Sequence, residues 1–394
     1  MKTLTLSAEW TPKSGFQPGR LHIEGKLTDQ GSAVWRNPQA QVIDKPEPPI
    51  ADDEVLIRVR ACGICGSDVH MAQPDAERYI VYPGLTAFPV VLGHEFSGEI
   101  VQAGKKAYNK RTGEVFQPGE AVTAEEMVWC GFCRACVDGY PNHCERLEEL
   151  GFTIDGALAE YIRVLARLVW SLEGLRERYP EQEAFLLGSL AEPASVSYNA
   201  LFIRGGGILP GDKAVVFGGG PIGLAGVALL KRAGASVVIL SEPSARRAEL
   251  GRKMGADHVI DPRSVDVAEA ILELTRGEGA KVYYEASGAP EAVFPEMVKC
   301  LWRGRTLNSV IIVVGRATQA VPLAAEVFQV RRASLVGSQG HSGHGIFPHV
   351  LDLMAAGMDL TPLITSRIAL SETPAFLERL RADKEEGKVT VARF

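Results

Sequence analysis

No stretch of this 394-residue chain comes near the roughly 18 consecutive apolar residues that a bilayer-crossing helix requires, so no membrane partner is expected. The first ten residues, Met1 to Trp10, lack a charged segment followed by a long apolar one, which argues against a secretory signal. There is no surplus of positive charge: 42 Lys and Arg stand against 48 Asp and Glu, for a formal charge of -6, and a generic nucleic-acid binder would need the opposite balance. Internal repeats and low-complexity tracts are missing. Cysteine is sparse, at seven residues. Without export the chain is expected in a reducing cytoplasm, where so few thiols read as metal ligands or buried groups rather than disulfides.

What remains is the composition of a globular protein, 46% hydrophobic and 23% charged. A chain of this length exceeds what one core comfortably serves, so two domains are expected. Residues 1 to 60 are rich in turn formers, and Lys45 to Pro49 reads as an extended linker because each proline restrains itself and its predecessor. Glu54 to Arg60 alternates as a strand does. Residues 62 to 156 form a glycine- and cysteine-rich, loop-heavy β region with short runs such as Val90 to Leu92. Near Arg204 the pattern changes. Apolar strands at Ala214 to Phe217, Ser236 to Leu240, His258 to Ile260, Lys281 to Tyr284, Thr306 to Val314 and Ser334 to Val336 alternate with helical segments at Ile222 to Ala233, Ser244 to Met254, Val267 to Thr275 and Glu291 to Leu301. That alternation means an α/β fold with a parallel sheet covered on both faces. The tail from His341 looks helical and then strand-like, and is too short to fold alone.

Four cysteines, Cys130, Cys133, Cys136 and Cys144, follow the spacing Cys-x2-Cys-x2-Cys-x7-Cys. Zinc takes four ligands, and four thiolates leave no room for a substrate, so this set predicts a structural zinc lobe. The acidic neighbours Glu145, Glu148 and Glu149 disfavour a nucleic-acid knuckle. A second set is dispersed. Cys65 lies in Gly-Ile-Cys-Gly-Ser-Asp-Val-His (63 to 70), His94 and Glu95 in Gly-His-Glu, and Glu192 in Ala-Glu-Pro. A thiolate, an imidazole and carboxylates make the ligand set of a catalytic zinc with one open position, where the ion acts as a Lewis acid on a substrate oxygen. Cys62 reads as a packed thiol and Cys300 as core.

Val215-Val216-Phe217-Gly218-Gly219-Gly220-Pro221-Ile222-Gly223 runs from strand through a glycine turn into a helix. Gly218 permits the tight turn, Gly220 lets the backbone approach a pyrophosphate, and Gly223 lets helix and strand pack closely. The helix start at Pro221 and Ile222 offers unpaired N–H groups to the phosphates. Glu242, about 20 residues on, suits the ribose hydroxyls and repels a 2′-phosphate, so NAD is expected over NADP. Arg246 and Arg247 read equally well as solvated helix charges or as contacts at the adenosine end.

Taken together these motifs resemble the zinc-containing medium-chain alcohol and polyol dehydrogenases, from about residue 40 to the end. The resemblance implies a GroES-like catalytic domain from residues 1–203 and 338–394, with the zinc lobe at about 125–150, and a Rossmann domain at 204–337. It implies two zinc ions per chain, NAD as cofactor and a homo-oligomer, dimer or tetramer, paired partly through the edges of the Rossmann sheets. It makes Cys65, His94 and either Glu95 or Glu192 the catalytic zinc ligands, Ser67 the hydroxyl that takes the substrate proton, and His70 the group that passes it to solvent. Three departures stand out: a long segment from Thr11 to Pro38, an extension at Asp75 to Phe88, and the glycine-histidine loop from Gly337 to Gly345. These resemble the branch of inositol catabolism that oxidises scyllo-inosose, a keto-cyclitol. His341 and His344 are candidate contacts for its hydroxyls, or solvated side chains of a mobile loop. The expected activity is hydride transfer from a secondary alcohol of a polyol or cyclitol to NAD. The alternatives are a sorbitol-type or L-threonine dehydrogenase and, in another class, a non-catalytic dinucleotide-binding protein.

Overall fold

The structure, a computed structural model, describes residues 1–316, 320–341, 343–382 and 386–394. It divides into two compact units, one made of Met1–Glu192, Phe347–Ala355 and Ile364–Phe394 and the other of Pro193–Ile346 and Ala356–Leu363. No helix among the described residues is long and apolar enough to cross a membrane.

The first unit is built on a mixed sheet. Its spatial order is Val169–Ser171, Ala121–Ala124, Glu95–Ala103, Glu54–Gly63, Lys388–Arg393 and Ile364–Ala369, with Tyr161–Leu165 also pairing with Glu54–Gly63. The last strand of the chain thus lies beside its third, with Thr390 opposite Gly63 and Val391 opposite Cys62. Alternation explains the long strand Glu54–Gly63: Val55, Ile57 and Val59 point into the core with Ile100, Ile162 and Val164, while Arg58 faces out. The N-terminal region is more regular than its turn-forming composition suggests. Lys2–Trp10 and Trp35–Asp44 pair antiparallel along nearly their whole length, because Leu4 and Leu6 are fully buried on one face.

The second unit is a six-stranded parallel sheet in the order His258–Ile260, Val237–Ser241, Lys213–Phe217, Val282–Glu285, Val310–Val313 and Ser334–Gly337. Ala214, Val215, Val216 and Phe217 are at most 1% exposed, as expected for a central strand covered on both sides. The helices Pro221–Arg232, Ala245–Lys253, Val267–Leu274 and Pro290–Arg303 fall where the periodicity places them. The strand expected over Thr306 to Val314 is shorter, Val310–Val313, because Asn308 takes a left-handed conformation (φ 58°) that no strand contains. A further helix, Ala325–Val330, lies in a region the pattern left unassigned.

Candidate metal centres and dinucleotide site

The strand Glu54–Gly63 ends beside the residues that matter. Two residues on, Cys65 caps the helix Gly66–Ala72, and its backbone N–H donates to Asp68 Oδ2 at 2.8 Å. The other oxygen of Asp68 accepts from the Gly93 N–H at 3.2 Å and lies 3.9 Å from His94 Nδ1. One fully buried carboxylate therefore ties the cysteine turn to the histidine turn. With Nδ1 turned to Asp68, Nε2 is the nitrogen left to hold a metal. The Phe152 ring packs 4.8 Å from the imidazole.

The ligand atoms of Cys65, His94 and Glu95 all lie within 4.8 Å of one another. A thiolate, an imidazole and a carboxylate converging at that distance suit a zinc ion with room for a fourth ligand. The electrostatics agree. Burial on its own would push the His94 pKa down, yet Asp68, Cys65 and Glu192 together hold it well above the usual imidazole range. Three negative groups thus face a buried basic nitrogen, the field in which a cation is favoured. Glu192, in the first turn of the helix Ala191–Tyr198, is 5% exposed and adds to that field. Ser67 Oγ is buried and finds no protein partner, whereas His70, on the same helix, is exposed. Cys62 is fully buried, with burial and then Asp68 raising its thiol well above the ordinary range, as befits a packed group.

Two residues of this centre escape the sequence reading as site residues. Asp68 had a visible signal, since Cys65-x-x-Asp68 has the spacing of a capping box. Lys388 had none. It is 2% exposed and reaches Glu95 at 2.6 Å from the far end of the chain.

The four-cysteine lobe is also assembled. Sγ separations are 4.0 Å for Cys130 and Cys136, 3.5 Å for Cys133 and Cys136, and 3.9 Å for Cys133 and Cys144. Four sulfurs at zinc–sulfur bonds of about 2.3 Å in a tetrahedron stand about 3.8 Å apart, so the cluster has the size of the ion. Backbone N–H groups aim at the sulfurs: Glu145 at Cys133 (3.4 Å), and both Cys130 and Arg146 at Cys144 (3.3 Å each). The first of these, with that of Cys136, draws the Cys133 thiol down to about 6.

In the second unit the glycine turn follows Lys213–Phe217. Gly218 has φ +98°, and a Cβ there would strike Ser287 Cα at 2.6 Å. A Cβ on Gly223 would lie 1.9 Å from the Gly218 carbonyl, while one on Gly220 would meet nothing within 4 Å. Gly220 caps the helix that Pro221 and Ile222 begin. Glu242, 5% exposed, accepts from Gly219 N–H at 2.5 Å and from Ser244 N–H at 2.7 Å, which fixes its carboxylate at the mouth of the turn. Arg247 donates its backbone N–H to Ser244 Oγ and sits one turn into the next helix. His341 is fully buried and His344 is exposed, so the loop does not present two solvated histidines; Ser342 between them lies outside the described residues.

Comparisons with known proteins give the family. Residues 51–174 match the alcohol dehydrogenase GroES-like domain, and residues 221–356 match the zinc-binding dehydrogenase family. The chain is 56% identical to scyllo-inosose 3-dehydrogenase of Thermotoga maritima over 99% of both sequences. A solved Thermotoga maritima structure, provisionally described as an alcohol dehydrogenase, superposes with a TM-score of 0.98 at 55% identity over all of both chains. A Sinorhizobium meliloti protein provisionally described as a zinc-binding dehydrogenase, solved with NADP, has a TM-score of 0.76 at 26% identity over 98% of this chain and 99% of that one. With a GroES-like catalytic domain, a Rossmann-like domain, and zinc and NAD(P) as cofactors, the chain belongs to the zinc-dependent medium-chain alcohol and polyol dehydrogenases.

Proposed function

We propose that the chain oxidises a secondary alcohol of a cyclitol, with scyllo-inosose as the first substrate to test, and passes the hydride to NAD. The observation that carries the reading is the convergence of Cys65, His94 and Glu95 within 4.8 Å, in a chain so similar over its whole length to a dehydrogenase of that keto-cyclitol. Cys65, His94 and one of Glu95 and Glu192 would hold a zinc ion, which when bound would supply Lewis acidity toward the substrate oxygen, with NAD as the hydride acceptor. The chain's own groups do the rest. Ser67 Oγ, buried and without a protein partner, takes the hydroxyl proton. His70, exposed on the same helix, passes it to solvent. The buried Asp68 carboxylate, 3.9 Å from His94 Nδ1, favours the imidazole's place electrostatically. Gly218, Gly220 and Gly223 shape the phosphate cradle at Pro221 and Ile222, and Glu242 takes the adenosine ribose in preference to a 2′-phosphate, with Arg247 beside it.

The four-cysteine lobe holds a second, structural zinc. None of the seven cysteines is in a disulfide, which supports work in a reducing compartment such as the cytoplasm. The strand Ser334–Gly337 is an edge of the Rossmann sheet with mostly exposed side chains, which supports a homo-oligomer paired along that edge. NADH formation measured across inositols, keto-inositols, sorbitol and L-threonine tests the reading. Turnover is expected to be fastest with scyllo-inosose. Preference for sorbitol or threonine moves the assignment within the family, and no turnover with any alcohol returns the chain to a non-catalytic dinucleotide binder.

A further inference from the structure

Glu285 ends the strand Val282–Glu285 and is fully buried. Its Oε1 accepts from the Ser287 N–H at 2.8 Å, the Ser287 hydroxyl at 2.7 Å and the Gly288 N–H at 2.9 Å. Its Oε2 is buried as well and has no hydrogen-bond partner among the described residues. The backbone carbonyl of the same residue accepts from the Val314 N–H at 3.0 Å and the Gly315 N–H at 3.3 Å. One residue thus fastens the turn after its own strand to the end of the next strand, Val310–Val313. The fit is tight: a Cβ on Gly315 would lie 2.5 Å from Oε2 and 2.7 Å from the Gly288 nitrogen.

A turn of this kind needs only a neutral acceptor, which asparagine or serine supplies. A buried carboxylate with one oxygen unserved costs far more. Turn-making alone is therefore a poor reason for a glutamate here. A charge that is balanced when a cationic ligand arrives is a better one.

The sheet indicates which ligand group meets it. In chain order the strands of this unit lie third, second, first, fourth, fifth, sixth. The order reverses between Lys213–Phe217 and Val282–Glu285, where Phe217 stands opposite Glu285. A dinucleotide lies across such a reversal, outside the carboxyl ends of the strands. Glu242, just past Val237–Ser241, marks the adenosine side, so the nicotinamide half falls on the side of Glu285. The nicotinamide ring is a cation in NAD and neutral in NADH. A fixed charge in a water-poor interior discriminates between the two.

Resting on the NAD reading above, we propose that the buried Glu285 carboxylate is a fixed negative charge on the nicotinamide side of the cofactor site, which strengthens binding of NAD relative to NADH. The oxidised ring supplies the positive charge that the carboxylate lacks. Reduction removes it, which eases release of the reduced cofactor.

The test is calorimetric titration of the intact protein with NAD, NADH and ADP-ribose, which lacks the nicotinamide, alongside thermal melts. Glu285→Gln keeps an acceptor for the turn and removes the charge. It is expected to raise the Kd for NAD about fivefold or more, and to leave those for NADH and ADP-ribose within about twofold of the parent. Glu285→Asp, which keeps the charge, is expected to retain the parent's ratio of NAD to NADH affinity even where both weaken. Should Glu285→Gln fail to fold, Glu285→Asn, whose side chain still reaches the N–H two residues on, carries the same expectations. NAD and NADH constants that rise together in Glu285→Gln, or that do not change, overturn the proposal, as does an equal loss for ADP-ribose. If the parent binds none of the three, it is the dinucleotide reading that fails.

Discussion

Gly220 and Gly223 lie three residues apart in one turn, and the structure predicts opposite consequences for the same added methyl group. At Gly220 the backbone (φ -71°, ψ 172°) suits any residue and a Cβ meets nothing within 4 Å. Alanine there costs the free protein nothing and stabilises it by about 0.4–1 kcal/mol through the unfolded chain. The methyl instead occupies the space that lets a pyrophosphate approach the backbone. Losing one charge-assisted hydrogen bond costs about 1.5–3 kcal/mol, which is about a 10- to 150-fold rise in the Kd for NAD. At Gly223 the Cβ would stand 1.9 Å from the Gly218 carbonyl, and ordinary contact begins at 3.4 Å. The helix must then retreat by about 1.5 Å, and overpacking of this kind costs about 1–3 kcal/mol. That corresponds to a fall in Tm of about 2–4 °C for each kcal/mol in a unit of this size. Calorimetric titration with NAD and thermal melts of the cofactor-free protein separate the two. Gly220→Ala should lose affinity at unchanged or raised Tm, and Gly223→Ala should lose both. A Gly220→Ala protein that binds NAD as the parent does, or that melts as early as Gly223→Ala, refutes the cradle described above.

Other expectations follow from the same geometry. Cys65→Ala should abolish hydride transfer and remove one zinc per chain while the melt is nearly unchanged, because the cysteine lobe is separate; turnover that survives in this variant counts against the metal reading. Glu242→Ser should raise the kcat/KM ratio of NADP to NAD by about tenfold or more, since the carboxylate that repels a 2′-phosphate is gone, and an unchanged ratio removes Glu242 from cofactor selection. At low pH, Asp261 offers a local probe. The Arg263 side chain and N–H pull its pKa from 3.8 down to about 2. A depressed folded-state value means its contribution is complete above 3.8 and fades as pH falls toward 2. Asp261→Asn should therefore flatten the stability profile in that window, as measured by denaturant unfolding at stepped pH.

Much of the architecture was legible because local chemistry and tertiary role coincide. Central strands such as Lys213–Phe217 are short, mostly apolar runs with helices between them, and burial on both faces leaves little polar alternation to confuse the reading. The glycine turn and the two cysteine-bearing segments carry their spacing in the chain itself. Long-range placement was harder. Lys388 sits 293 residues from Glu95, and a lysine alternating with valines at a chain terminus reads as solvent-facing. Only the pairing of the last strand against Gly63 turns it inward. The strands Lys2–Trp10 and Trp35–Asp44 were hidden by the prolines and glycines between them, since their stability comes from each other rather than from propensity.

Anomalous diffraction at the zinc edge, from crystals of the purified protein, bears most directly on the whole account. Two peaks per chain are predicted, one among the sulfurs of Cys130, Cys133, Cys136 and Cys144, and one touching Cys65 and His94 with a position open to substrate. A single peak confined to the cysteine lobe, in protein that still reduces NAD with an alcohol, would contradict it.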